Sequence, residues 1–231
     1  MNLRKERMAI LETKSLKKYY RMGKETVHAL DGVDLRVHKG EFISILGPSG
    51  SGKTTLLNMI GCLDRPTEGQ ILLGGKDVTR FSRGKLTEIR SQKIGFVFQE
   101  FDLIPTLTAL ENVMLPLKYQ GVSRNERRKR AGEALEKVGL EKRLRHRPAQ
   151  LSGGEQQRVA VARALVTHPE IILADEPTGE LDSQTGEQLI ARLRELNQET
   201  DQTFIFVTHD SVLAEATDRQ IRMTDGKIIP E

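Results

Sequence analysis

Hydrophobic and polar positions alternate near the N-terminus and merge into continuous apolar runs farther along the chain. Val33, Leu35 and Val37 are separated by single polar residues, which is the period-two pattern of a half-buried strand. Three later runs are apolar at almost every position, which is typical of strands covered on both faces of a parallel sheet. These runs are EFISILG (41–47), IILAD (171–175) and TFIFVTH (203–209).

Segments with helical periodicity separate these runs. KTTLLNMIGCL (53–63) directly follows the first run, residues from about 107 to 167 have mostly helical character, and an amphipathic helix is expected around 184–197. The segment IRMTDGKII (221–229) carries an Asp-Gly pair at its centre, which is a hairpin signal. Strands alternating with helices predict an α/β fold with a parallel sheet and antiparallel pieces at both chain ends.

Composition places the chain among ordinary globular proteins, with 231 residues, a net charge of +4 and a pI near 9.2. A single cysteine, Cys62, excludes an internal disulfide. The start MNLRKERMAILETK lacks the apolar centre of a secretory signal, and no apolar run approaches the roughly 18 residues that span a bilayer. We therefore expect a cytoplasmic protein.

The densest charge run is RNERRKR (124–130). Ser123 and Glu126 have the spacing of a capping box, and apolar residues then recur at i, i+3, i+4 and i+7, which predicts a helix. These apolar residues are Ala131, Ala134, Leu135 and Val138. A nucleic-acid patch is the alternative interpretation, but the pattern favours a solvated helix face, and no nucleic-acid partner is expected.

The segment GPSGSGKT (47–54) matches G-x-x-x-x-G-K-[ST] in full and lies between a predicted strand and a predicted helix. Its glycines let successive backbone N–H groups face one centre, and the helix start adds its positive end. Lys53 would place a charge on the β- and γ-phosphates of a nucleotide, and the Thr54 hydroxyl would ligate Mg²⁺. The context favours an ATP and Mg²⁺ site over a glycine-rich surface loop.

Four carboxylates crowd the segment ILADEPTGELDS (172–183). Asp175 stands at the carboxyl end of a strand, where open α/β sheets bind ligands, and is the expected Mg²⁺-side carboxylate. The side chain of Glu176 would project to the opposite side of the strand from Asp175 and face a water beyond the γ-phosphate. The alternative interpretation is that Glu176 caps the turn that follows.

The segment LSGGEQQRVAVARAL (151–165), upstream of Asp175, resembles the signature motif of ATP-binding cassette (ABC) ATPases. Other elements of that family occur in the same order, so that the resemblance covers essentially the whole chain. They are Tyr20 in KKYYRMG for the adenine-stacking aromatic residue, Gln99 in GFVFQE for the Q-loop glutamine, GELDS (179–183) for the D-loop and His209 in FVTHD for the switch histidine. Tyr19 is adjacent to Tyr20 and competes for the same role.

The resemblance implies a P-loop NTPase (RecA-like) core with an N-terminal antiparallel β subdomain and an inserted α-helical subdomain. Residues 1–98 and 166–231 would form the core with the β subdomain. Residues 99–165 would form the helical subdomain, and the whole chain would be one nucleotide-binding domain.

The resemblance also implies roles for individual residues. The expected catalytic residues are Glu176, His209, Lys53 and Gln99, and the metal-side residues are Thr54, Gln99 and Asp175. The expected nucleotide contacts are Tyr20, Gly47, Pro48, Ser49, Gly50, Ser51, Gly52, Lys53, Thr54, Thr55, Ser152, Gly153, Gly154 and Asp182. The signature residues would serve the γ-phosphate held by a second copy of the chain, so that two chains sandwich two ATP molecules head to tail.

Three longer segments resemble a narrower branch that includes the macrolide exporter MacB, the lipoprotein-release ATPase and FtsE-like proteins. They are YYRMGKETVHALDGVDL, NMIGCLDRPTEG and IGFVFQEFDLIPTLTALENVMLPL. This implies a subunit, peripheral on the inner face of the cell membrane, that drives a MacB/FtsX-type permease for export or release of a lipoprotein, peptide or drug-like substrate. The alternative is a non-transport ABC ATPase acting in cell-division signalling or on nucleic acid.

Glu180 departs from the family pattern, because related cassettes commonly carry Asn there. A carboxylate only accepts hydrogen bonds and adds charge, whereas an amide also donates. We expect Glu180 to weaken or tune closure of the dimer rather than to contribute to hydrolysis. The remaining histidines, His28, His38, His146 and His168, carry no comparable functional context.

Overall fold

The computed structural model describes residues 9–210 and 214–229, apart from the side chain of Met22. Its strands are β1 (Ala9–Met22), β2 (Glu25–His38), β3 (Phe42–Leu46), β4 (Glu68–Leu73), β5 (Lys76–Asp77), β6 (Ile94–Val97), β7 (Ile171–Asp175), β8 (Thr203–Thr208), β9 (Arg219–Thr224) and β10 (Lys227–Ile229). Its α-helices are α1 (Lys53–Ile60), α2 (Arg83–Lys93), α3 (Ala109–Tyr119), α4 (Arg124–Lys137), α5 (Gly153–Leu165) and α6 (Ser183–Thr200).

Two sheets organise these elements. The larger sheet has the order β10-β9-β3-β8-β7-β6 and is parallel from β9 to β6, while β9 and β10 form an antiparallel hairpin. The smaller sheet, β2-β1-β4-β5, is antiparallel throughout. The predicted α/β class, with a parallel sheet and antiparallel pieces at both chain ends, is confirmed.

The central strands are apolar throughout because both faces of the larger sheet are covered. Ile171 and Leu173 of β7 pack into a cluster shared with the smaller sheet and α1. Ile172 and Ala174 point into a second cluster, shared with α3 to α6. Burying one large aliphatic side chain stabilises the fold by about 1.5–3 kcal/mol. The two clusters, one on each face of the larger sheet, therefore fix the positions of its central strands.

The segment between β6 and β7 contributes α3, α4 and α5, and the helix predicted from the pattern after Ser123 is confirmed as α4. Ser123 caps α4 by accepting from the backbone N–H of Glu126, and Arg124 and Arg128 are exposed, whereas Arg127 and Arg130 are half-buried. The cluster that contains these helices also contains Phe42 and Phe204 of the sheet, so the boundaries of the helical subdomain at 99–165 stay a prediction. Within the described ranges, no helix combines the length and the apolar character needed to cross a bilayer.

Candidate functional site

The turn from β3 into α1 forms a phosphate-sized cradle of backbone N–H groups. Gly52 precedes α1 with a φ of 97°, which lies in the left-handed region that glycine favours. A Cβ atom on Gly52 would lie 2.3 Å from the carbonyl oxygen of Ala29, so that only glycine fits here. No side chain caps the start of α1, and its first N–H groups are available to bind an anion.

Lys53 lies beside this cradle with only 6% of its surface exposed. Its Nζ donates to the carbonyl oxygens of Gly47 at 2.8 Å and Pro48 at 2.9 Å. These two neutral acceptors fix the ammonium at the cradle, where it would attract a phosphate.

Asp175 and Thr54 bring a carboxylate and a hydroxyl together next to the cradle. Thr54 Oγ1 donates to Asp175 Oδ1 at 3.3 Å, although the two residues come from α1 and β7. Burial raises the pKa of Asp175, and the neighbouring charge of Glu176 adds to this effect. The described residues contain no group of three or more His, Cys, Asp or Glu that could hold a metal alone. Mg²⁺ is usually held by one or two carboxylates together with substrate phosphates and water, and Asp175 with Thr54 fits such a donor set.

Glu176 has an unusual backbone conformation, and its carboxylate contacts a histidine. Its φ is 46°, a left-handed value that is uncommon for a residue with a side chain. Its N–H donates to the carbonyl oxygen of Val207 in β8 at 2.9 Å. Its Oε2 lies 2.6 Å from Nδ1 of His209, just beyond the end of β8. The structure therefore pairs the expected general base with the expected switch histidine.

These side chains line one cleft of about 1000 Å³, which is large enough for a nucleotide. The predicted site residues that line it are Ser49, Gly50, Ser51, Gly52, Lys53, Thr54, Thr55, Gln99, Asp175, Glu176 and His209. Gln99 reaches the cleft from the loop after β6, and its Nε2 also donates to Oε1 of Glu180 at 3.3 Å. The P-loop, the strand-end acids and Gln99 thus meet at one place.

The cleft has one wall that the sequence interpretation missed. Val27, His28 and Ala29 of β2 line it, together with Asp225 in the turn between β9 and β10. His28 thus lies at the cleft, a position that no sequence pattern indicated. The register of β1 and β2 places it there, because Val27 lies opposite Tyr20 in their antiparallel pair.

The two candidate adenine-stacking tyrosines have different surroundings. The Tyr19 ring packs on the imidazole of His28 with 4.1 Å between centroids. The Tyr20 ring is 38% exposed, and its hydroxyl donates to Asp64 at 3.2 Å. Burial, followed by the charge of Asp64, raises the pKa of the Tyr20 hydroxyl. Lys18 Nζ lies 4.9 Å from the centroid of the Tyr20 ring, so that each tyrosine ring has one neighbour over a face, and Tyr20 is the more exposed of the two residues.

The signature residues begin α5 and do not line the cleft of their own chain in the part that the structure describes. Ser152 caps α5 in a reciprocal capping box with Glu155. Asp182 caps α6 by accepting from the N–H of Thr185 at 3.0 Å and from its hydroxyl at 2.7 Å, and these bonds lower the pKa of Asp182. A Cβ on Gly154 would meet Thr185, so the starts of the two helices pack closely.

Comparison with known proteins identifies close relatives over almost the full length. A family described as ABC transporter matches residues 30–179. The chain is 54% identical to the ABC transporter ATP-binding protein MJ0796 of Methanocaldococcus jannaschii, over 95% of each sequence. The dimeric structure of a post-hydrolysis state of MJ0796, bound to ADP and Pi, matches with a TM-score of 0.88 and 51% identity, over 95% of this chain and 97% of that chain.

Two further relatives belong to named export or release systems. The lipoprotein-releasing system ATP-binding protein LolD of Shewanella frigidimarina is 49% identical, over 94% of this chain and 91% of LolD. The macrolide export ATP-binding/permease protein MacB of Syntrophobacter fumaroxidans is 48% identical, over 97% of this chain and 32% of MacB. The chain thus spans about a third of the MacB sequence.

Proposed function

The chain belongs to the ABC transporter family as an ATP-binding ATPase related to MacB and LolD, and we propose that it forms a head-to-tail dimer that drives a separate MacB/FtsX-type membrane permease. The proposed cargo is a lipoprotein, a peptide or a drug-like molecule that is exported or released, in keeping with the names of MacB and LolD. The subunit would then be cytoplasmic and peripheral on the inner face of the membrane.

One observation carries the dimer proposal. The nucleotide-facing side chains of the chain converge on one cleft, while Ser152 and its signature helix start elsewhere. Each chain therefore presents one P-loop and one separate helix N-terminus of the kind that binds anions. A second copy, related by two-fold symmetry, would complete each cleft with its own signature residues.

The residues of the cleft suggest a division of labour in hydrolysis. When bound, Mg·ATP supplies the γ-phosphoryl group and a metal ion that neutralises its charge. Lys53 and the neighbouring N–H groups would hold the β- and γ-phosphates, while Thr54 and Asp175 face the metal. Glu176 would orient and deprotonate the attacking water. His209, in contact with Glu176, would fix that carboxylate and reach the γ-phosphate.

The remaining expected site residues also receive roles in this proposal. We assign adenine stacking to Tyr20, because Tyr20 is more exposed than Tyr19 and lies opposite the cleft residue Val27, although Tyr20 itself is outside the cleft lining. Gln99 lines the cleft near the acids and would contact Mg²⁺ or the water. Gly153 and Gly154 would bring the signature N–H groups close to the partner's γ-phosphate, and Asp182 would lie at the dimer seam.

A second groove, of about 250 Å³, offers a place for the permease; we call it the docking groove. Its lining residues are Arg90, Ser91, Ile94, Phe96, Phe98, Asp102, Pro116, Arg163, Ala164 and Thr167. The rings of Phe96 and Phe98 stack with 5.6 Å between centroids and give the groove an apolar floor. Because Phe98 directly precedes Gln99, a permease helix with an apolar face that binds here would act on the segment that carries Gln99.

Site-specific photocrosslinking in intact cells tests the permease assignment. A benzoylphenylalanine in place of Thr167, in the docking groove, should give an adduct with an integral-membrane permease that has four spans and a large extracytoplasmic domain. The same probe in place of the exposed Glu199 of α6 serves as the control and should not. An adduct with the permease of a binding-protein-dependent importer, or equal labelling from both positions, would reject the assignment.

A further inference from the structure

Gln157 is a polar side chain that none of the roles above uses. It lies on α5 after the signature residues and has 0% of its surface exposed. Its Nε2 donates to the carbonyl oxygen of Pro177 at 2.5 Å and to that of Phe98 at 3.4 Å. Polar side chains are rarely buried this deeply without a specific set of partners.

The two acceptors of Gln157 adjoin the residues of the hydrolysis site. Phe98 directly precedes Gln99, and Pro177 directly follows Glu176. One amide group on the signature helix thus bridges the loop after β6 and the loop after β7, which are far apart in sequence. Glu176 itself has a left-handed backbone, a conformation that surrounding contacts must maintain.

The chemistry of the bridge requires glutamine. A side-chain amide nitrogen carries two N–H donors, one for each carbonyl, whereas a glutamate offers no donor at neutral pH and a methionine offers none at all. The other end of the same amide, Oε1, is buried and has no hydrogen-bond partner among the described residues. The side chain therefore keeps its position through the two donated bonds.

We propose that Gln157 is a positioning residue that holds Glu176 and Gln99 in register with the signature helix. The start of that helix would contact the ATP held by a second chain. The bridge would therefore link binding of the partner's ATP to the position of Glu176 in the chain's own ATP site. This inference rests on the dimer proposed above. Because Phe98 also lines the docking groove, the same bridge would connect Glu176 to the permease side.

The test compares Gln157→Met with Gln156→Met in the full-length protein. Gln156 is the preceding residue of α5, and its Nε2 donates within the signature segment, to the carbonyl oxygen of Leu151 at 3.2 Å. Methionine has a similar length to glutamine but donates no hydrogen bond. Gln157→Met should lower kcat at least about tenfold, the size expected when a catalytic group is misplaced, and should change the KM for ATP by less than about threefold. Gln156→Met should behave as the wild type.

Size-exclusion chromatography with Mg·ATP separates positioning from general damage. If Glu176 is misplaced while binding is intact, Gln157→Met should accumulate an ATP-bound dimer, as Glu176→Gln should. Wild-type kcat, or low kcat without accumulated dimer while Glu176→Gln does dimerise, would overturn the inference. If Glu176→Gln also stays monomeric, the proposed dimer is rejected. The role of Gln157 then depends only on whether the kcat of Gln157→Met is lower than that of Gln156→Met. If Gln157→Met does not fold, Gln157→Asn replaces it, because asparagine keeps both N–H donors on a side chain that is one methylene shorter. The kcat of Gln157→Asn should then lie below that of the wild type and above that of Glu176→Gln. A wild-type kcat for Gln157→Asn would contradict the bridge.

Discussion

The four acids between 175 and 182 show how surroundings assign different roles to the same chemical group. Asp175 is half-buried beside a hydroxyl, and Glu176 contacts a histidine. Glu180 accepts from Gln99, while Asp182 caps a helix. Only the first two of these four line the cleft, where Asp225 from the turn between β9 and β10 is a third acid of the same chain.

Asp175→Asn separates the folding effect of this carboxyl from its metal role. The pKa of Asp175 is raised in the folded protein, so the folded protein binds the proton more tightly than the unfolded chain. Ionisation of Asp175 therefore lowers the free energy of unfolding at a pH above the folded-state pKa, and this loss of stability is absent at a pH below the unfolded-state pKa. At neutral pH the variant should therefore melt at the same temperature or up to about 4 °C higher without nucleotide. It should lose the extra stabilisation by Mg·ATP over ATP in chelator. Differential scanning fluorimetry measures both, and a clearly lower nucleotide-free melting temperature would contradict the sign.

Glu180→Asn should tighten the ATP-bound dimer. It removes one negative charge per chain near the proposed dimer axis, and relief of roughly 0.4–1.4 kcal/mol of repulsion corresponds to a two- to tenfold lower dissociation constant. Analytical ultracentrifugation with Mg·ATP in a hydrolysis-deficient background measures this constant. The difference should shrink at high salt. Glu199→Gln, at an exposed position of α6, is the charge-matched control. If the dimer dissociation constant and the ATP turnover are both unchanged in Glu180→Asn, Glu180 has no effect on closure and is equivalent to the Asn of related cassettes.

At the scale of elements, the starts of α5 and α6 form one unit beside the site. Both helices are capped by side chains, Ser152 and Asp182, and a Cβ on Gly154 would lie 2.5 Å from Cγ2 of Thr185. Thr185 cannot rotate away freely, since its hydroxyl donates to Asp182. A contact within one chain therefore restricts Gly154, in addition to any contact with a partner's nucleotide.

Gly154→Ala should destabilise the fold by about 1–3 kcal/mol, the usual effect of overpacking, while Gly153→Ala should change stability by less than about 0.5 kcal/mol. The nearest atoms to a Cβ on Gly153 are 3.6 Å away or farther, which is an ordinary contact distance. Urea unfolding of the nucleotide-free protein measures both variants. Equal stability of the two variants would contradict the close packing of α5 on α6.

The sequence pattern predicted the elements that carry long apolar runs and missed the short or polar ones. β7 has the bounds that the run IILAD predicts, because a strand buried on both faces is apolar from end to end. The pattern does not predict β6, which has four residues, β5, which has two, or α2, which buries only Leu86 and Ile89. It also does not predict β4 or the long strand β1, whose register shifts against β2 interrupt a period-two alternation. For these elements the neighbouring sheet and helices, rather than local periodicity, determine the structure.

Motif recognition likewise found the P-loop, the strand-end acids, Gln99 and His209 in the cleft, but it missed the wall at Val27–Ala29 and Asp225 and the connections between these residues. Lys53, Asp175 and Glu176 stand in recognisable local patterns. The bridge from Gln157 to Pro177 and the contact between Gln99 and Glu180 join residues that are distant in the chain, and local patterns carry no signal for them.

At the scale of the whole molecule, the cleft around Lys53 has its own acids, and the signature helix beginning at Gly153 starts outside it. In the proposed dimer, one chain would thus contribute to two half-sites. That dimer would switch between two states, since a bound γ-phosphate would join the chains and its loss would release them. The central claim is therefore that ATP closes a dimer and that Glu176 opens it through hydrolysis.

Light scattering coupled to size-exclusion chromatography of Glu176→Gln tests this claim most directly. Without the carboxylate that activates water, the variant should still bind Mg·ATP and should elute as a dimer that retains unhydrolysed ATP. The wild type should return to monomer as it turns ATP over. A Glu176→Gln variant that stays monomeric in Mg·ATP and hydrolyses ATP at the wild-type rate would contradict the account.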